Sequence, residues 1–216
     1  MKIESVTLWK NKIFAVKFEN GKGLYLHADI LADYALHEGD DLPMQRIAEL
    51  RQAAADRRAY EYALHLLDRR GYSYRELYDK LMQAERADEA ATQKALDKLV
   101  RFGLLNDARY AQELAVLYLE TRKYGKHRAE AEMRRRGLGA EEIAAALAPY
   151  ETAESVSAQL QTLLEKKYAR KLTDPEDRHA RELVTAALIR RGFDYTDIRY
   201  ALEDYFLEKQ QAESSE

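Results

Sequence analysis

The sequence predicts a mainly α-helical protein: tandem three-helix repeats forming an elongated array, headed by a small antiparallel β segment. Three observations lead there. Glycine and proline are scarce, at 9 and 3 of 216 residues, and charged residues make up 34%, a composition that favours helix. Beyond about residue 43 the apolar residues recur at helical spacing and no strand pattern is seen. A basic motif, RRG, returns at 69–71, 135–137 and 190–192, each glycine being followed by Leu or Ile six positions on and by Leu ten positions on.

The first 27 residues differ from the rest. IESVTLW, KIFAVKF and GLYLH are rich in β-branched and aromatic residues, separated by Lys10-Asn11 and by Asn20-Gly21-Lys22-Gly23, which predicts a three-stranded meander. A short helix is expected near Asp29–Leu36. Pro43 then suits the first turn of a longer helix. From there the expected apolar stripes run through Ala63, Leu66 and Leu67; Leu77 and Leu81; Leu96 and Val100; Leu114, Leu117 and Tyr118; Ile143 and Leu147. They continue through Leu160, Leu163 and Leu164; Leu183, Ala187 and Leu188; Ile198 and Leu202. Ser73…Glu76 and Thr173…Glu176 read as capping boxes, with Pro175 in the first turn of the latter, and Asn106 and Asp194 as further caps.

The RRG motif has a purely structural reading. With Gly71, Gly137 and Gly192 just past helix ends, the next residue should touch the one five positions before it. Those pairs are Tyr72–Leu67, Leu138–Met133 and Phe193–Leu188, all apolar. Arginines in a last turn also complement the helix dipole. The copies are unevenly spaced, so the first RRG falls out of phase with the other two. Phase returns when RRGYSYR (69–75), RKYGKHR (122–128) and KKYARK (166–171) are taken as equivalent first corners. The predicted organisation is a β meander plus short helix at 1–45, three-helix repeats at 57–102, 106–149 and 152–207, and a frayed polar tail at 208–216. The second corner of the first repeat, around 86–96, lacks the RRG.

Several chemistries find no support. There is no cysteine, so disulfides, thiol nucleophiles and cysteine-ligated metals are excluded. His27, His37, His65, His127 and His179 form no HExxH pair, so no metal site is expected. GKG at 21–23 and GK at 125–126 lack the phosphate-loop frame, and no GxSxG occurs. An enzyme is not expected, nor a cofactor. No signal peptide or membrane-spanning run is seen, which predicts a cytoplasmic chain without membrane association. The formal charge of −3 argues against a uniformly basic DNA-coating protein but allows a local basic surface.

That surface is the remaining candidate. Arg69, Arg70 and Arg75 lie at the earliest corner; Arg122, Lys123, Tyr124, Lys126 and Arg128 at the next; Lys166, Lys167, Arg170 and Lys171 at the third. Arg134, Arg135, Arg190 and Arg191 precede the later glycines. Lined up along one edge of a stacked array, such residues can track a phosphate backbone or an acidic protein groove. They can equally be solvating, dipole-complementing side chains.

ALHLLDRRGYSYRELYDKL (63–81), LDKLVRFGLLNDARYAQEL (96–114) and KYGKHRAEAEMRRRGL (123–138) together resemble the bacterial regulatory RecX family, over roughly residues 57–207. Met133 stands where a leucine is more usual, and Arg86 where a glycine is expected. The resemblance implies a non-enzymatic modulator of the RecA recombinase, built from tandem three-helix repeats. It implies binding in the groove of the RecA–DNA filament, bridging protomers and restraining ATP turnover, strand exchange and the co-protease activity behind the SOS response. A monomer is expected, with single- or double-stranded DNA as a further partner. The alternative is a nucleic-acid-binding repeat protein that acts without RecA.

Overall fold

Alternating apolar residues put one side of a pleated strand against a core and leave the other to solvent. A computed structural model, which describes residues 1–84 and 88–213, places β1 (Ile3–Lys10), β2 (Ile13–Phe18) and β3 (Gly23–His27) in one antiparallel sheet of order β1-β2-β3. Asn11 turns the first hairpin at a φ of 52° and Gly21 the second at 77°. Val16 pairs with Val6 on one side and Leu24 on the other, while Phe14 pairs with Leu26. The inner face, with Ile3, Val16, Phe18 and Leu26, closes a core with Ile30 of α1 (Ala28–Asp33) and with Leu36 and Leu42.

Helix α2 (Met44–Leu67) supplies the other wall of that core through Ile47, Leu50 and Ala54, one face at helical spacing. The same helix runs on without a break to bury Ala63 and Leu66, so the β segment and the first helical repeat share one rod. It packs along α4 (Glu89–Arg101), where Asp56 pairs with Lys94 and the Lys98 ammonium lies 4.2 Å from the Tyr60 ring centre. Between them α3 (Tyr74–Met82) buries Leu77 and Leu81. Asp88 caps α4, its carboxylate accepting from the Ala91 N–H at 2.8 Å.

By contact density the chain divides into two compact units: Met1–Gly71 with Glu76–Leu105, and Tyr72–Arg75 with the chain from Asn106 onward. In the second unit, α5 (Asp107–Ala115), α6 (Lys126–Arg135) and α7 (Ala140–Leu147) surround Tyr110, Leu114, Tyr118, Met133, Ile143 and Leu147. Next come α8 (Ala153–Leu163), α9 (Arg178–Arg190) and α10 (Tyr195–Glu213), around Leu160, Leu164, Tyr168, Leu188, Phe193 and Ile198. Both α5 and α8 end in a wider π turn, at Val116–Thr121 and Leu164–Tyr168.

The structure corrects several expectations. Val100 and Leu183, expected in buried stripes, are about half exposed (49% and 50%); Leu99 and Val184 are buried instead. In each case a buried alanine, Ala95 or Ala180, widens the apolar face and shifts its centre. Thr173 does not cap α9. Asp174 accepts from the Glu176 N–H in a local turn, and the helix starts only after Asp177, whose carboxylate accepts from the Ala180 N–H at 3.0 Å. Helix α10 continues to Glu213, through residues expected to fray. Residues 214–216 of that tail, and Arg86, lie outside the described residues. No described helix is long and apolar enough to cross a membrane.

Candidate functional site

Gly137 and Gly192 close their helices as the apolar pairing predicts. Both have positive φ, 77° and 93°, and the following N–H returns to the carbonyl five residues back: Leu138 to Met133 at 3.3 Å, Phe193 to Leu188 at 3.2 Å. Gly103 ends α4 in the same way, with Leu104 N–H on the Leu99 carbonyl at 2.9 Å. The first RRG lies elsewhere in its repeat, joining the first and second helices rather than the second and third.

These helix ends then meet a first corner. The Gly125 N–H donates to the Arg191 carbonyl at 2.8 Å and the His127 N–H to the Gly192 carbonyl at 3.2 Å. The Arg191 guanidinium returns across the joint to the carbonyls of Arg122 (3.1 Å) and Lys123 (3.0 Å), and Arg128 donates to the Arg190 carbonyl at 3.3 Å. A second joint repeats the plan. The Ser73 hydroxyl donates to the Arg136 carbonyl, and a Cβ on Gly137 would stand only 2.9 Å from Arg75 Cβ. Ser73 and Gly125 each immediately precede the second helix of their repeat, and Arg136 and Arg191 are the second arginines of their motifs. Two of the three RRG copies therefore offer backbone carbonyls to the corner of the preceding repeat.

The GLLND junction completes the Ser73 joint. Asn106 caps α5 by accepting from the Arg109 N–H at 2.9 Å, while Asp107 accepts from the Tyr74 N–H at 2.8 Å, satisfying an orphan donor at the start of α3. Burial pushes the Asp107 carboxyl above the ordinary carboxylate range; the Tyr74 N–H opposes this and Glu142 adds to it. The folded state thus binds the proton more tightly than the unfolded one. This group's contribution to stability is largest in acid and declines as pH rises through and above the ordinary carboxylate range. Asp107→Asn keeps an acceptor for Tyr74 and sheds the buried charge, so it should gain stability relative to wild type between acid and neutral pH. Asp107→Ala should cost about 1 kcal/mol through the lost cap. Urea unfolding of the three proteins at two pH values checks both statements.

The candidate basic residues now separate by what they touch. Arg70 forms a two-pronged pair with Glu76, at 2.7 and 3.0 Å. Arg134 and Arg135 pair within their own helix with Glu130 and Glu132, and Lys126 pairs with Glu151 at 3.0 Å. Arg128 lies 4.0 Å from the centre of the Tyr124 ring, Arg122 lies 5.4 Å from that of Tyr118, and the two tyrosines stack at 5.9 Å. Tyr124 is thus held in an internal stack, and Tyr72 and Tyr168 are buried. Lys166, Lys167, Arg170 and Lys171 are all exposed, and no carboxylate pairs with them among the described residues. Arg69 and Arg190 are likewise exposed at helix ends. Sequence reasoning took Ser73 as a helix cap and weighed Gly125 only as part of a phosphate loop, and it assigned neither to a joint between repeats.

The architecture has counterparts. Models of the first, second and third three-helix domains of RecX match residues 59–99, 106–147 and 154–202. A regulatory protein RecX of Stenotrophomonas maltophilia (strain R551-3) is 36% identical over 166 residues, covering 77% of this chain and 96% of its own. Another, from Trichlorobacter lovleyi, is 34% identical over 146 residues, 67% of this chain and 93% of its own. A crystal structure of a regulatory protein RecX superposes with a TM-score of 0.72 at 23% identity, over 94% of this chain and 98% of that one. RecX from Lactobacillus salivarius superposes with a TM-score of 0.65 at 23% identity, over 72% and 99%.

Proposed function

Since the chain belongs to the RecX family, we propose that it is a non-catalytic regulator that binds the RecA–DNA filament and restrains RecA. It docks in the filament groove as a single chain, in the cytoplasm, and slows ATP turnover, strand exchange and the co-protease activity behind the SOS response. The observation that carries the docking surface is the exposed cluster at 166–171, four cations with no internal ion pair among the described residues. Exposed cations of this kind are free to meet acidic protein or phosphate without first breaking a native contact. Arg190 and Lys123 belong to the same compact unit and extend the surface, while Arg69, in the first unit, is a separate exposed cation. The charges of Arg70, Arg128 and Arg191 are already engaged within the protein.

The test is a titration of the single-stranded-DNA-dependent ATPase of RecA with this protein. Turnover should fall with added protein and recover as salt is raised, since exposed charge pairs are screened within roughly 10 Å at 0.1 M salt. Unchanged turnover over the range in which the protein exceeds RecA would overturn the reading.

A further inference from the structure

The β segment has an outer face that the proposed function does not use. Ser5 and Thr7 of β1, Ile13, Ala15 and Lys17 of β2, and Tyr25 of β3 project away from the core, by the alternation that buries Val16 and Leu26. Trp9, in the irregularity between Leu8 and Lys10, joins them through its ring contact with Tyr25. Trp9 is 60% exposed and Tyr25 is 56% exposed, yet their rings meet at 5.0 Å. Ala15 sits in register between Thr7 and Tyr25. A contiguous exposed aromatic pair with a polar rim is a feature of interaction surfaces.

The surrounding charge says what that is. Residues 1–27 hold five lysines against two glutamates, in a chain whose net charge is −3. Lys10 and Lys17 are exposed and in no ion pair among the described residues. Beyond Tyr25 a groove runs between β3 and α2, bordered by Arg51 and Arg58, two turns apart on one helix face, exposed and likewise without an ion pair. Glu4 is exposed on β1, but four other nearby acids are engaged. Glu19 pairs with Lys2, Asp29 with Arg57, Glu38 accepts from the Val6 N–H, and Asp88, at the end of the groove, caps α4. A purely apolar partner would leave these cations unmatched. A polyanion with flat apolar rings would satisfy both features.

We propose that this face is a binding platform for single-stranded nucleic acid: an unpaired base stacks on Trp9 and Tyr25 while Lys10, Lys17, Arg51 and Arg58 follow the phosphates. A duplex hides its base faces and is a poor ligand for such a platform. The site lies wholly within the first compact unit, and its test needs no RecA, so its failure would leave the regulatory reading standing.

Trp9 is the single tryptophan of the chain, so its emission reports directly on the platform. Titration with short oligodeoxythymidylate should quench that emission saturably, and the same sequence as duplex should quench it far less. Tyr25→Ala should weaken binding about tenfold, and Arg51→Glu with Arg58→Glu should weaken it and flatten its salt dependence, both with unchanged melting. A parallel oligouridylate arm tells whether deoxyribose or ribose is preferred. Two outcomes would overturn the proposal: Trp9 emission that stays constant while anisotropy of a labelled oligonucleotide saturates, or wild-type affinity in Tyr25→Ala.

Discussion

Gly125→Ala is expected to destabilise the second compact unit by about 3–5 kcal/mol, an effect out of proportion to one methyl group. The backbone of Gly125 has ordinary dihedrals, φ −76° and ψ 169°, so alanine meets no conformational penalty there. The cost is one of space. The new Cβ would fall inside the van der Waals radius of the Gly192 carbonyl and 2.5 Å from the Phe193 nitrogen. Both are main-chain atoms and cannot rotate away. Relief requires the corner at 124–128 to part from the α9–α10 turn, losing the Gly125–Arg191 and His127–Gly192 hydrogen bonds and disturbing Phe193 in the core of the last repeat. Gly192→Ala should be comparably severe, because it adds a φ of 93° to a Cβ 2.6 Å from Arg128 Cβ. Gly21→Ala is the control: it shares the positive φ but opens into empty space, and should cost about 1 kcal/mol. Urea unfolding followed by circular dichroism ranks the three, and a Gly125→Ala protein as stable as wild type would refute the joint.

The comparison explains which features could be read from residues alone. Local rules sufficed for the meander, for the caps at Asn106, and for Gly137 and Gly192, because strand alternation and helix-end pairing are set by near neighbours in sequence. What escaped depends on distant partners. Nothing near Arg191 in the chain says that its guanidinium will cross to the Arg122 and Lys123 carbonyls, and nothing near Tyr124 says that it will stack on Tyr118 beneath Arg128. Gly125 looked like a fragment of a phosphate loop; its role appears only once Gly192 stands against it. The π turns ending α5 and α8 left no sequence trace, and alanine-rich faces blurred the stripes at Val100 and Leu183.

Reversing Lys166, Lys167, Arg170 and Lys171 to Glu should reduce affinity for the RecA–DNA filament by about 100-fold or more, since each cation facing an anionic surface becomes a repulsion. Stability should change little. These side chains project from the π turn ending α8 and the loop after it, while Tyr168 and Leu172, between and beside them, are the residues that hold the segment in the core. The fold does pay one small cost, about 0.3–1 kcal/mol for each acid placed near the negative end of the helix dipole. Replacing the same four residues by Gln avoids that cost and should still weaken binding, though less. Charge reversal at Arg128 or Arg191 would not separate the two roles, because both side chains donate to carbonyls across the joint.

The division of labour between a backbone-built joint and an outward-facing cluster is tested most directly by one titration. RecA ATPase on single-stranded DNA is followed against added wild-type protein and against the protein with all four cluster residues reversed, melting curves being recorded for both. Inhibition by the first, and little by the second at equal concentration with both fully folded, is the predicted result. Equal inhibition by the two proteins would contradict it and place the contact elsewhere on the chain.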